Sequence, residues 1–406
     1  MYDIAIIGAG ASGLVAAIFA KMKNMNADVV LFDRADRVGK KIAMSGNGQC
    51  NITNKNPDIT RYHGDADFAK TVIDNFPPAE QERFFAECGI MLNFETSGKA
   101  YPMSYQASSV VDALRFRAAE LGVEIRVSAK VESVAKKEKG FSVKYEGGSV
   151  TAQNIIIATG GAAGGNLGSE DGYSILRSFG HKVTSLRPAI VQLKSNEPFI
   201  RSLKGVKLFA KLSAKSGKNT YSADPSDFLF TDYGISGPAV LSLSSHYKEG
   251  ERFTVFADLL PNSTYDKTYK FLSDKRATFG NRTADELFAG LVHKKIGIEL
   301  VKLEKIAPSS KIADISDQKI ANLAALVHNL PFNITGTNGM KNAQVTAGGV
   351  DTKDFCADSM MSKLQEGLFA SGEVLNVDGD CGGFNLCFAW ASGKAAGASA
   401  AKRVGK

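Results

Sequence analysis

At 406 residues the chain is long enough for two or three domains with sizeable cores, and 44% hydrophobic with 22% charged residues excludes a disordered or fibrous protein. Its net charge of +7 attracts anions such as nucleotides or acidic substrates, yet no dense Lys/Arg run with interleaved aromatics marks a nucleic-acid site, and none is expected. There is no run of 18 apolar residues for a bilayer and no basic n-region for a signal peptide, and the five cysteines form neither a C-x-x-C pair nor a zinc set, so a reducing, cytoplasmic setting is expected.

Ile4 to Ile7 is a near-continuous apolar run, which predicts a strand buried on both faces of a parallel sheet. It ends in Gly8, Gly10 and Gly13, a G-x-G-x-x-G whose glycines permit a tight turn, backbone approach to a pyrophosphate and close packing of helix on strand. Ser12 to Lys23 suits a helix with its free N–H groups and dipole aimed at the phosphates. Val29 to Phe32 is the second strand, and Asp33 closes it where a carboxylate accepts hydrogen bonds from ribose hydroxyls. That acid disfavours a 2′-phosphate without separating NAD from FAD.

Residues 34–54, RADRVGKKIAMSGNGQCNITN, are too glycine-rich for a regular element and read as a functional loop. Lys40 and Lys41 could approach a pyrophosphate or an electron-rich ring, and Gly46 and Gly48 would let backbone lie flat on a planar cofactor; a solvated loop is the alternative. Cys50 reads as a small buried filler more readily than as a thiol near a reactive ring. Residues 67–94 predict two short helices and a strand, 108–121 a helix, 123–127 a strand and 130–146 a hairpin turning at 136–140. Ile155 to Ala158 is a second apolar strand running into Thr159, Gly160 and Gly161, at the sheet edge where open α/β folds place ligands.

From Leu186 to Phe256 short β-like runs (189–193, 208–212, 228–231 and 253–257) are punctuated by prolines, with helical periodicity largely absent, which predicts an inserted antiparallel domain. Residues 264–330 predict a helical cap with breaks at Gly280, Gly297 and Pro308. In the last informative stretch, 367–397, a short strand precedes a turn at Gly372-Glu373, an acidic, glycine-rich loop 378–383 and a small-residue helix 385–401. The N-terminus of that helix, freed by Gly382 and Gly383, can face a developing negative charge.

Five segments together resemble the BaiN-type and aminoacetone-oxidase-like flavoproteins: GAGASGL; GKKIAMSGNGQCNITN; IIATGG with GSEDGYSILRSFGH; FLFTDYGISGPAVL; and VTAGGVD with GLFASGEVLNVDGDCGGFNLCFAWASG. The resemblance implies an α/β fold in which a discontinuous, Rossmann-like FAD-binding domain (1–187 and 337–406) carries an inserted β-rich domain (188–263 and 331–336) and a nested helical domain (264–330). Carried over by motif, Gly8, Gly10, Ala11, Ser12 and Gly13 hold the pyrophosphate and Asp33 the adenosine ribose. Lys41, Ser45, Gly46, Gly48, Cys50 and Asn51 approach the flavin, and Thr159, Gly160 and Gly161 flank the adenosine side. Gly372, Glu373, Asp378, Gly383, Phe384, Asn385 and Leu386 surround the ribityl chain and ring, and Arg34, Lys40, Asn47, Val131 and Gly382 complete the cofactor-binding candidates. The family loop S-G-G-G-R-C-N here has Asn47 for a glycine and Gln49 for an arginine; Asn47 is expected to need a positive φ.

The expected activity is that of a flavin-dependent oxidoreductase moving hydride to or from a small organic substrate. Without a second G-x-G-x-x-G, NAD(P)H as donor would have to bind at the flavin face. No metal site and no catalytic acid or base can be named; His63, His181, His246, His293 and His328 each stand without a recognisable partner. An NAD-dependent dehydrogenase and a flavoprotein with a mainly RNA-binding role are the alternatives.

Overall fold

The computed structural model describes residues 1–405, which divide into two compact units, residues 1–189 with 340–405 and residues 190–339. In the first unit, the apolar runs Tyr2–Ile7, Val29–Phe32 and the end of Gly148–Ile157 form the parallel centre of a seven-stranded sheet. Glu124–Arg126 adds a parallel edge beyond Val29–Phe32. The far side of Gly148–Ile157 is shared. Its first half pairs antiparallel with Phe141–Tyr145, and Ile155 to Ile157 pairs in parallel with Leu368–Ala370. The antiparallel half explains why this strand runs ten residues, where the apolar run alone predicted only 155–158: Gly148 to Gln153 is polar and half exposed, the pattern of a hairpin arm.

Two helices cover the parallel strands from one side, Ala11–Lys23 and Phe384–Ala401. They cross backbone to backbone. A Cβ on Gly393 would stand 2.4 Å from the Ser12 carbonyl oxygen, and one on Gly397 only 2.0 Å from that of Ala16. Trp390, fully buried, donates its indole N–H to the carbonyl of Ile52 at 2.8 Å and ties the last helix to the segment after the glycine loop.

That loop differs from expectation. Lys40–Met44 is a short α-helix where no regular element was expected, whereas Ser45–Gly48 is an irregular turn with Gly46 and Asn47 left-handed. Asn47 has φ 56° and ψ 38°, the left-handed conformation anticipated for it.

The second unit contains a closed barrel of strands in the order Leu193–Ser195, Gly234–Ser236, Asn219–Phe230, Lys207–Ser216, Phe253–Asp258 and Leu330–Thr337. The helices Tyr265–Thr278, Lys294–Leu303 and Asp317–His328 fall between its last two strands in sequence. The run 189–193 is not one strand: Arg187–Ala189 pairs with Val345–Ala347 in the first unit, and Ile190 turns at φ 49° before Leu193 joins the barrel. Pro238–Ser244 is a helix that the proline-punctuated pattern hid, and Gly297 lies inside a helix rather than breaking one, because a side chain there would meet Phe288.

Candidate functional site

The opening turn is shaped by steric exclusion. A Cβ on Gly13 would lie 1.8 Å from the Gly8 carbonyl oxygen, so only glycine lets the helix start so close to the strand. At Gly10, by contrast, a Cβ meets nothing within 4 Å, and the same holds at Gly160, which has φ +73°. These two open backbone positions follow the adjacent parallel strands Tyr2–Ile7 and Gly148–Ile157 and form the kind of cradle a pyrophosphate fills. Ala11 and Ser12 open the helix beside it, and Ser12 donates to the Ser371 carbonyl at 3.3 Å. Asp33 accepts the N–H groups of Ala9 and Ala35, each at 2.8 Å. Burial raises its pKa while those N–H groups oppose the rise. The spare lone pairs of its oxygens remain for ribose hydroxyls.

Thr159 packs on Gly172, where a Cβ would stand 2.0 Å from its Oγ1. Gly161 lies against Thr346 and Glu373. Glu373 accepts the Thr346 N–H at 2.8 Å through Oε1 and pairs with Lys41 Nζ at 2.6 Å through Oε2. Gly372 abuts Ser12 and donates its N–H to Ser392 on the last helix at 3.0 Å. Residues 332 positions apart in the chain thus share one ion pair at the edge of the sheet.

A second group forms where the glycine loop meets the N-terminus of Phe384–Ala401. The Asn51 side chain lies against Gly383, with its amide placed to donate to Thr53 and Ala100 and to accept the Gly383 N–H at 3.2 Å. Asn54 donates to the Gly382 carbonyl at 2.9 Å. Asn385 clamps both the N–H and the C=O of Gly379, at 2.9 and 2.7 Å. Phe384 is buried and Leu386 half-buried on the first turn of the helix. Ser45 donates to Ile42 O, while Gly46 and Gly48 have positive φ.

The remaining candidates have partners within the protein. Lys40 pairs with Asp36 at 2.7 Å on the surface, and Arg34 donates to the carbonyls of Asn166 and Gly168. Val131 is buried at the head of its strand. Cys50 is fully buried and its thiol is pushed up to about 12 by burial, so it is a filler and not a nucleophile.

Sequence reasoning missed an ionisable cluster. Asp378, 1% exposed, stands in register opposite His63 on the paired strands Val377–Gly379 and Tyr62–Gly64. Its Oδ2 is buried without a hydrogen-bond partner, and burial pushes its pKa up to about 6 against the lowering effect of His63 and Arg187. His63 Nε2 lies 2.8 Å from Asp380 Oδ1. Burial works against its charge, but the Asp380 hydrogen bond and the nearby Asp378 and Asp380 charges raise its pKa overall. The expectation that no histidine has a recognisable partner therefore fails at His63. It fails again at His328, which faces Asp258 at 2.9 Å, and at His181, which faces Ser362 at 2.9 Å. The acidic loop signalled Asp378 and Asp380, but nothing local signalled a strand pairing across more than 300 residues.

The open backbone positions, the acid that closes the second strand and the orphaned carboxyl fit an extended dinucleotide with a polyhydroxyl chain. The comparisons agree. Residues 2–399 match the HI0933-like protein Rossmann domain. The chain is 36% identical over 410 residues to the 3-dehydro-bile acid delta(4,6)-reductase of Clostridium scindens, covering 99% of this chain and 100% of that protein. It is 31% identical over 406 residues to the ribosomal RNA dihydrouridine synthase of Haemophilus influenzae, covering 98% of each. Among solved structures, a 3-ketosteroid-delta4-(5alpha)-dehydrogenase from Rhodococcus jostii shares the fold with a TM-score of 0.50 at 14% identity, covering 99% of this chain and 97% of that one. A quinol-fumarate reductase shares it with a TM-score of 0.51 at 16% identity, covering 99% and 71%. No helix among the described residues is long and apolar enough to cross a membrane. The chain belongs to the HI0933-like family and is an FAD-dependent oxidoreductase.

Proposed function

We propose that the protein saturates a carbon–carbon double bond conjugated to a carbonyl in a flat, apolar substrate. The observation that carries this reading is the surface beside the glycine loop. Tyr101 and Tyr105 stack with centroids 5.7 Å apart, and Met44, Met91 and Met103 are exposed nearby in sequence and fold: Met103 donates its backbone N–H to Met91, and Gly46 lies against the Tyr101 ring. Rigid aromatic faces with pliable methionines suit a planar hydrocarbon framework. Bound FAD supplies hydride chemistry, and the chain supplies binding, orientation and protons. By motif and geometry, Gly8 to Gly13, Gly160 and Asp33 would hold the ADP half, Lys41 with Glu373 the middle, and Asn51 with Gly383 to Asn385 the ring.

The two full-length relatives are named for different substrates, yet a 3-oxo steroid unsaturated at positions 4 and 6 and a uracil ring share one reactive unit, a C=C conjugated to a carbonyl. A second reading, reduction of uridine in RNA, is favoured by an outward row on the barrel strand Lys207–Ser216, where Lys207, Phe209, Lys211 and Lys215 are all exposed.

One experiment separates them. Enzyme reduced anaerobically is mixed with androst-4-ene-3,17-dione or with a uridine-containing ribosomal RNA fragment, and flavin reoxidation is followed together with the product mass. The first reading expects rapid reoxidation and a product richer by two hydrogens with the steroid alone. Reoxidation by RNA alone selects the second, and by neither rejects both. NADH and NADPH, supplied in turn to the oxidised enzyme, test the pyridine nucleotide as electron donor.

A further inference from the structure

Hydride addition to a conjugated double bond leaves negative charge that a proton must quench, and among the described residues Asp378 is a buried group suited to provide it. We propose that Asp378 is the proton donor of this site, delivering its carboxyl proton to the substrate carbon next to the carbonyl. This rests on the function proposed above.

The geometry comes first. Asp378 is held on a short strand whose next residue, Gly379, is clamped at both backbone groups by Asn385, so the backbone that carries the carboxyl is fixed. It lies in sequence between Glu373, which packs against Gly161, and the first turn of the last helix, and it is electrostatically coupled to Glu373. Its Oδ2 is buried with no hydrogen-bond partner among the described residues, the state of a group kept for a ligand or a transferable proton. The charged groups that face it are His63 across the strand pair, Arg187, Glu373 and Asp380. Burial holds the carboxyl neutral up to about pH 6, where an acid is both populated and willing to give up its proton near neutrality.

The step balances. Hydride carries two electrons to the far carbon of the double bond, and the π pair shifts toward the carbonyl. The near carbon then takes the Asp378 proton, and the O–H pair stays on the carboxylate. The double bond would gain two electrons and two hydrogens in all, the hydride and its electron pair being what bound, reduced FAD would supply. The new carboxylate faces the positive Arg187 and His63, and His63, hydrogen-bonded to Asp380, can return a proton to it.

The competing role is a hydrogen-bond acceptor for a cofactor hydroxyl, which asparagine would also perform. Asp378→Asn therefore separates the two, and the reduction potential of bound FAD against pH reads it without any substrate. Reduced FAD carries more negative charge, which raises the affinity of a nearby carboxyl for its proton. The potential of the wild-type holoenzyme is expected to steepen by one proton per two electrons above about pH 6, and Asp378→Asn to retain FAD and lose that break. A wild-type potential without the break, or a break that survives in Asp378→Asn, overturns the proposal. Should Asp378→Asn bind no FAD, infrared titration of the wild-type apoprotein decides, by the presence or absence of a protonated carboxylic-acid band, missing in the variant, that titrates near pH 6. With androst-4-ene-3,17-dione, Asp378→Asn is expected to lose about 100-fold in reduction rate. A wild type that shows the break but leaves this steroid unreduced refutes the substrate reading and not the proton site; a variant that reduces it at the wild-type rate refutes the donor.

Discussion

Two of the turns in which a strand of the first unit runs into a helix are built on opposite principles. At Ile7 to Gly13 the work is done by backbone: glycines exclude side chains, the helix offers bare N–H groups, and the one acid, Asp33, has both oxygens engaged by N–H donors. At Val377 to Asn385 a glycine-rich turn again precedes a helix, but it is packed with ionisable groups, one of them buried and unsatisfied. The first turn meets its surroundings chiefly with backbone N–H groups. The second can change its charge, and chemistry that moves protons belongs there.

The largest effect separates fold from cradle within the first turn. Gly13→Ala drives a methyl into the Gly8 carbonyl and is expected to cost about 4 kcal/mol, read by urea unfolding of the apoprotein. Gly10→Val meets open space, so the apoprotein unfolds as wild type while FAD retention, read by absorbance after gel filtration, is lost. Equal damage from both would end the distinction.

The next effect belongs to the second turn. Asp378 keeps its proton in the folded state to about pH 6, whereas the unfolded chain releases it near pH 4. A folded pKa above the unfolded one means that apoprotein stability falls as pH rises through that window, by about 3 kcal/mol from this group. The raised pKa of His63 extends the fall toward higher pH. Urea titrations at pH 4 and pH 7 should show the loss in wild type and a smaller one in Asp378→Asn. Identical pH profiles would contradict the burial of an unpaired carboxyl.

Smaller effects sharpen the contrast around the glycine loop. Asn47→Ala, in the left-handed region, is expected to cost about 1 kcal/mol, and Asn47→Gly to cost less. Lys40→Ala removes only a surface pair and should change stability and FAD affinity by less than about 0.5 kcal/mol, whereas Lys41→Ala leaves Glu373 without its partner and should weaken FAD binding measurably.

The same contrast explains what the sequence made legible. The first turn could be read almost residue for residue, since its strand, helix and acid depend on neighbours within Tyr2 to Asp33; Val29–Phe32 was placed without error. The apolar run 208–212 exposed only part of Lys207–Ser216, because farther on Ala214 and Ser216 are small inward residues that carry no hydrophobic signal. The acidic loop was visible as composition, but the burial of Asp378 is created by Tyr62–Gly64, and the partner of His63 stands 317 residues away. Such facts belong to topology and cannot be seen in any window of the chain.

The close crossing of the two covering helices also has a temporal side. Ser12 and Ala16 are made well before Gly393 and Gly397, against which they pack and which follow them 381 positions later in the chain. At about 5–20 residues per second, the inner face of the first helix waits on the order of a minute for its cover. During that interval the buried residues on the inner face of the first helix stand uncovered beside the opening turn.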